Sequence, residues 1–248
     1  MSVTAILLAA GYATRLYPLT KDRPKALLPL GQGVILDEIV AALPDEVSTR
    51  ILVTNHRFAG QFLEWQHRRG GTLRIIDDGT ETPEARLGAV LDLELARVRG
   101  GATGDLLVLG TDNIFAWRLG DFVTRAQQRA PAASVALWEA PSSAAATQFG
   151  VVVRDATDRI SRFVEKSPQP PSTAVALCVY YFPSPMVECI PRYLGTRPAA
   201  DAPGHFIAWL AEQVPVYGLM MRGSWYDIGT LEAYQAAQHE WPATKPGG

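Results

Sequence analysis

The stretch Ala5-Ile-Leu-Leu-Ala-Ala-Gly11-Tyr-Ala-Thr-Arg15-Leu-Tyr-Pro18-Leu-Thr-Lys-Asp-Arg-Pro24-Lys25-Ala-Leu-Leu-Pro29-Leu30 decides how the rest of this chain is read. Residues 3–10 form a short apolar run, β-branched at its start, that ends at Gly11. A run without polar alternation is buried on both faces, as strands of a parallel sheet are. Beyond Gly11 come Arg15 and Lys25, set among Pro18, Pro24 and Pro29. A strand stopping at a glycine, then free backbone N–H groups and two cationic side chains, suits a polyanion such as a triphosphate.

Working outward, residues 34–43 carry apolar side chains at helical spacing and Pro44 stops them. Residues 50–54 read as a second strand, 57–68 as a helix ended by Gly70-Gly71, and 72–76 as a third strand. A polar, turn-rich loop over 77–83 precedes a helix expected at 84–99. The buried strand 105–110 runs straight into Thr111-Asp112-Asn113. Strands alternating with helices imply βαβ units and a parallel sheet, whose ligands sit at the strands' carboxyl ends. Gly11 and Asp112 both fall there.

The second half reads differently. Strand-like runs at 134–139, 149–154, 159–165 and 174–182 are separated by short turns, so antiparallel additions to the parallel core are expected. Helical patterns follow at 184–193 and 204–213, then strands at 216–221 and 225–228, and a helix at 230–240. The expectation is one domain over 1–240, with lobes of about 1–115 and 116–240, and a frayed tail at 241–248.

Composition narrows the class. The chain has 248 residues, 48 % hydrophobic and 19 % charged, which is that of an ordinary globular protein. A net charge of −2 points away from nucleic acid or an anionic membrane surface as a partner. No window holds 18 apolar residues, and the N-terminus lacks a basic leader region, so a cytoplasmic protein with neither membrane span nor signal peptide is expected. The two cysteines, Cys178 and Cys189, are too few for a disulfide framework or a four-thiolate zinc site. The histidines show no HxH or HExxH spacing. Of 23 basic residues only four are lysine, which singles out Lys25 and Lys166 as candidates for sites needing a compact ammonium.

Gly11-Tyr-Ala-Thr-Arg-Leu-Tyr-Pro-Leu-Thr20 with Pro24-Lys25-Ala-Leu-Leu-Pro29 closely resembles the signature of the sugar-phosphate nucleotidylyltransferases. Leu109-Gly-Thr-Asp-Asn113, Phe149-Gly150-Val151, Phe163-Val-Glu-Lys166 and Trp225-Tyr-Asp-Ile-Gly-Thr230 extend the resemblance in the family's order. It implies an α/β, Rossmann-like three-layer sandwich of the GT-A-like kind, its sheet mixed and mainly parallel. It implies transfer of a nucleotidyl group from an NTP to a sugar 1-phosphate, with magnesium. No appended acyltransferase or regulatory domain is expected in this length, and a homo-oligomer is compatible with it.

The resemblance also assigns residues. Ala9, Ala10, Gly11, Thr14, Arg15, Lys25, Asp78 and Gly88 would hold the nucleotide, with Arg15 on the β- and γ-phosphates and Lys25 on the α-phosphate. Asp112 and Asp227, hard carboxylates at strand ends, would hold one Mg²⁺ ion and, with Arg15 and Lys25, form the catalytic set. Asn113, Gly150, Glu165 and Lys166 would take the sugar phosphate, Gly150 by letting a hydroxyl reach backbone. Asp121, by contrast, reads as a helix cap.

Three departures from the family pattern stand out. Ala13 replaces a usual glycine, Gly33 replaces a usual proline, and Thr82-Pro-Glu-Ala-Arg-Leu-Gly-Ala89 replaces a Gly-Thr-Ala-Gly-like segment, leaving the base unread and Arg86 without a role. Two alternatives stay open: a cytidylyltransferase acting on a phosphorylated alcohol such as phosphocholine, which shares this core, and a catalytically silent nucleotide-sugar-binding subunit.

Overall fold

The computed structural model describes residues 2–196 and 202–244, with side chains as far as Trp241. In chain order the elements are β1 (Val3–Leu8), β2 (Pro29–Leu30), β3 (Gly33–Val34), α1 (Ile35–Ala42), β4 (Val47–Thr54), α2 (His56–Arg69), β5 (Arg74–Asp77) and α3 (Ala89–Arg99). They continue as β6 (Asp105–Gly110), β7 (Asn113–Phe115), α4 (Leu119–Gln127), β8 (Ala133–Glu139), α5 (Ser143–Ala146), β9 (Gly150–Arg154), β10 (Ile160–Glu165) and β11 (Ala174–Phe182). The remainder is α6 (Ser184–Val187), α7 (Cys189–Thr196), α8 (Pro203–Gln213), β12 (Val216–Met220), β13 (Trp225–Asp227) and α9 (Leu231–Thr244).

One sheet runs β10-β9-β11-β6-β1-β4-β5, with β8 paired to β11 and β12. β1 lies parallel between β4 and β6, and β5 continues the parallel half beyond β4. β11 is antiparallel to β6, β8 and β9, and β10 is antiparallel to β9. The sheet is therefore mixed, with a parallel half built from the first 110 residues, as the alternation of strands and helices implies.

The alternation of side chains along β1 makes three layers. Val3, Ala5 and Leu7 enter a core with Ile39 of α1, Phe58 and Phe62 of α2, Phe122 of α4 and Trp241 of α9. Ile6 enters the opposite core with Leu93 of α3, Tyr193 of α7 and Phe206 of α8. Burying each such side chain is worth about 1.5–3 kcal/mol, so helices on both faces are what an apolar two-sided strand requires.

Several boundaries differ from the sequence expectations. The helix expected from 84 begins at Ala89, because Gly88 takes φ +95° and breaks the ladder after a single turn at Pro83–Ala85. The helix expected at 184–193 is two pieces, α6 and α7. The final helix runs to Thr244, and Trp241, expected in a frayed tail, is buried with its ring edge-on to Tyr226; residues 245–248 lie outside the described residues. Asp121 is not a cap: Arg118 holds that position in α4, and Asp121 lies in the first turn, where its charge complements the helix dipole. Helix α4 was not among the elements expected from the sequence, although Leu119, Phe122, Val123 and Ala126 form an i, i+3, i+4, i+7 apolar face.

Candidate active site

The phosphate-type loop is pinned from below. Ala9 N–H bonds Val53 O at 2.8 Å, and both the N–H and the hydroxyl of Thr111 bond Leu8 O, at 3.2 and 2.8 Å. Asn55 does two jobs, capping α2 through Phe58 N–H and donating Nδ2 to Ala10 O at 2.9 Å. Tyr12 turns inward, buried, with its hydroxyl on Thr80 Oγ1 at 3.1 Å. Gly11 is thereby left exposed at the rim, with no heavy atom within 4 Å of where a Cβ would stand.

Ala13 stands at φ +49°, ψ +42° in the left-handed region. This explains why a glycine is usual here, because an L-residue in that region costs about 1–2 kcal/mol. Its carbonyl is held by the buried Thr20 hydroxyl at 2.8 Å and by Leu16 N–H at 2.9 Å. The tight turn Thr14–Leu16 then buries Leu16 and leaves Arg15 exposed on the cavity wall. Gly33 is a packing requirement: a Cβ there would overlap Asp37, whose carboxylate accepts from Val34 N–H at 2.8 Å and pairs with Arg69.

Two strand ends bring the carboxylates together. β6 ends immediately before Thr111-Asp112, and β13 pairs antiparallel with β7 so that Asp227 lies opposite Asn113. Ile228 N–H closes the register on Asp112 O at 2.9 Å. Asp112 accepts from Lys25 Nζ at 2.9 Å on one oxygen and from Asn113 Nδ2 at 2.7 Å on the other, while Trp225 Nε1 donates to Asn113 Oδ1 at 2.8 Å. A Cβ at Gly110 would lie 2.8 Å from Asp112 Oδ1, and one at Gly229 2.8 Å from Asp227 Oδ2, so both carboxylates are walled by glycines.

The two acids are electrostatically unequal. Burial pushes Asp112 upward, but the Lys25 charge and its hydrogen bonds outweigh that and hold the carboxyl below its usual range. Asp227 is pushed up to about 6, first by burial and then by the Asp112 charge, with Lys25, Arg15 and Lys166 acting in opposition. Two adjacent hard carboxylates, one of them disfavoured as a bare anion, fit a hard dication that completes its shell with phosphate oxygens and water. Among the described residues no group of three or more His, Cys, Asp or Glu forms a self-sufficient metal cage. Burial also raises the Cys178 thiol to about 12, so that side chain is packing at the cavity floor and not a nucleophile.

Glu165 and Lys166 close β10. Lys166 also takes a left-handed backbone, φ +45°, with its N–H on Phe149 O at 3.1 Å. A rigid bend at that point is what carries its side chain to the cavity rim. Gly150 is buried, and the space beside it is filled by the Phe163 ring and the Glu165 carboxylate. The Trp225 ring lies 5.3 Å from that of Trp138 and 5.2 Å from that of Phe149, making this end aromatic.

A single cavity of about 330 Å³ gathers Ala10, Gly11, Arg15, Gly88, Asp112, Asn113, Gly150, Glu165, Lys166 and Asp227. Lys25 reaches it through Asp112. Ala9 is buried beneath it, Thr14 is exposed outside its lining, and Asp78 stands off the wall with Oδ1 on Thr80 N–H at 2.6 Å. Tyr180, Asp92 and Ala202-Pro203-Gly204 also line it and were not singled out by sequence reasoning. Tyr180 and Asp92 look like ordinary core positions of a strand and a helix. The segment at 202–204 joins only through tertiary packing.

A family model described as nucleotidyl transferase matches residues 4–243. The chain belongs to that family. It is 27 % identical to the bifunctional protein GlmU of Methanocaldococcus jannaschii over 239 residues, covering 91 % of this chain and 51 % of that one. It is 28 % identical to the mannose-1-phosphate guanylyltransferase catalytic subunit beta of Danio rerio, covering 91 % and 61 %. The chain thus spans about half to three fifths of the length of these curated relatives. Among solved structures, one provisionally assigned as a glucose-1-phosphate thymidylyltransferase of Bacillus anthracis superposes with a TM-score of 0.83 at 21 % identity, covering 96 % and 94 %. A UDP-glucose pyrophosphorylase complexed with UDP-glucose superposes at 0.80 and 17 % identity, covering 99 % and 100 %. The family model establishes the nucleotidyl transferase family, and the superpositions establish the fold.

Proposed function

We propose that this nucleotidyl transferase moves a nucleotidyl group from an NTP to a sugar 1-phosphate, releasing pyrophosphate. The observation that carries the reading is the convergence of Asp112 and Asp227 through the β7–β13 register, with Lys25 on Asp112 and with Arg15 and Lys166 on the same cavity. A binding cleft alone does not need two carboxylates packed together at a cost in self-repulsion. Chemistry at a polyphosphate does.

A phosphate oxygen of the acceptor attacks the α-phosphorus, the new O–P bond forms, and the bond to the β-phosphate oxygen breaks. A Mg²⁺ ion held by Asp112 and Asp227 supplies charge neutralisation at the phosphates when bound. Arg15 meets the charge of the leaving pyrophosphate with its two-pronged fork. Lys25 turns from Asp112 to the α-phosphate, where negative charge accumulates in the transition state. Lys166 holds the acceptor phosphate, and Glu165 accepts from its hydroxyls. With little covalent work to do, the protein's contribution is positioning.

A second reading has its own observation. The aromatic faces of Phe149 and Trp225 beside the Glu165 carboxylate also suit a quaternary ammonium, as in phosphocholine. Pyrophosphate release from four NTPs, each paired with several sugar 1-phosphates and with phosphocholine, tests both. Turnover with a sugar 1-phosphate is the expected result. Turnover with phosphocholine alone selects the second reading, and silence throughout, with folded protein and magnesium, removes the enzyme reading.

A further inference from the structure

The Glu165 carboxylate occupies a slot with a glycine on each wall. A Cβ at Gly150 would lie 2.8 Å from Glu165 Oε2 and 2.7 Å from the Phe163 ring. A Cβ at Gly204, in the first turn of α8, would overlap the same Oε2 and stand 3.0 Å from that ring. Neither glycine has a left-handed backbone, so conformational freedom is not what requires them; space is. Gly204 is the more telling of the two. In the first turn of a helix alanine is the better helix former, yet the position is buried and empty of side chain. Among the described residues none donates a hydrogen bond to the Glu165 carboxylate, which lines the cavity with its acceptors unused.

We propose that Gly204 is a specificity-determining position of the acceptor site: by lacking a side chain, α8 seats the Glu165 carboxylate so that it faces the hydroxyls of a polyhydroxylated acceptor. The proposal rests on the sugar 1-phosphate reading and deepens it. Glu165 and Lys166 are adjacent, so fixing one orients the other. The carboxylate reads hydroxyls while the ammonium takes the phosphate. Alanine at 204 displaces the carboxylate from its slot and leaves the nucleotide end of the cavity untouched, because that end is built from Gly11, Arg15 and Gly88 on other elements.

The test is direct binding, followed by Trp225 fluorescence or calorimetry, with glucose 1-phosphate, mannose 1-phosphate and phosphocholine as probes. Wild type is expected to bind at least one sugar 1-phosphate. Gly204→Ala is expected to weaken that binding about tenfold or more, with NTP affinity within about twofold and an unchanged melting temperature. In a Glu165→Ala background the same substitution is expected to add nothing, because its target is gone. Glu165→Asp placed on Gly204→Ala shortens the acid, relieves the overlap and recovers part of the binding. That last comparison reports even if the single variant is poorly folded. Undiminished binding by Gly204→Ala, or an equal further loss in the Glu165→Ala background, overturns the proposal. Failure of wild type to bind any sugar 1-phosphate is a separate result, seen before any variant is made, and removes the functional reading together with the proposal.

Discussion

Lys25 Nζ lies 2.9 Å from Asp112 Oδ2, joining two residues 87 positions apart. The ammonium therefore stands where a cation is needed by the carboxylate pair, and it holds Asp112 ionised against burial. The same side chain is the proposed partner of the α-phosphate. It cannot fully serve both at once, so in the proposed reading nucleotide and metal would cooperate: a phosphate that drew Lys25 away would free a ligand for the ion.

Lys25→Met is accordingly expected to have opposite effects on two measurements. In the absence of nucleotide, Mn²⁺ binding followed by electron paramagnetic resonance should tighten on the order of tenfold, because the competing cation is gone. Turnover should fall, with kcat lowered by more than the NTP KM is raised, since the phosphate contact strengthens in the transition state. Unchanged Mn²⁺ affinity would show that the ion pair does not gate the site.

Asp112→Ala should abolish measurable turnover, a loss on the order of 10³-fold or more, while the melting curve stays cooperative. The side chain is 35 % exposed and belongs to neither apolar core, so fold loss is not expected. Near-normal turnover would end the assignment of Asp112 to the metal.

The Asp227 acid carries a pH dependence whose sign is opposite to that of most carboxylates. Its folded value of about 6 lies above the ordinary 3.8, so between those limits the folded protein binds the extra proton. Stability of the metal-free protein should fall as pH rises from about 4 to 6 on account of this group. Asp227→Asn should remove that component, and added Mg²⁺ should offset it in wild type. Urea denaturation in a chelating buffer across this window, for both proteins, measures the difference.

Ala13→Gly relieves a left-handed alanine but frees the unfolded chain, so the net gain should be modest, about 0.5–1 kcal/mol. Thr20→Val removes the hydroxyl from the Ala13 carbonyl and should cost about 1 kcal/mol, with a raised NTP KM as the loop loosens. Urea midpoints and initial rates separate the two effects.

Lys166→Ala should weaken the acceptor by raising its KM about tenfold while the NTP KM holds. Lys166→Asn tests backbone against charge, since asparagine adopts the +45° φ at lower cost than alanine. Equal acceptor defects in the two variants, at differing stabilities, would assign the loss to the ammonium.

Much of the site was legible because its parts are local. Gly11 and Asp112 each follow an apolar run at a parallel strand's carboxyl end, where such a fold presents ligands, whereas Asp227 ends the short antiparallel strand β13 and was legible only through its motif. Boundaries were less legible where one residue's backbone overrides propensity, as Gly88 does in delaying α3. The hairpin of β2 and β3 and the short strand β7 went unread because two or three residues carry no periodicity.

What the sequence determined by itself is the alternation that makes a mainly parallel sheet, and the spaced motifs that place a phosphate loop, two acids and two lysines in one family order. Those depend on local pattern and composition. Only the tertiary structure decided that Asp227 lies opposite Asn113, that Lys25 rests on Asp112, that Ala13 is held left-handed by Thr20, and that Gly204 of α8 makes room for Glu165. The Ala13–Thr20 bond is closed within one loop, but the other three join segments far apart in the chain, set by strand register and packing against a shared core, for which no single stretch of residues holds the information.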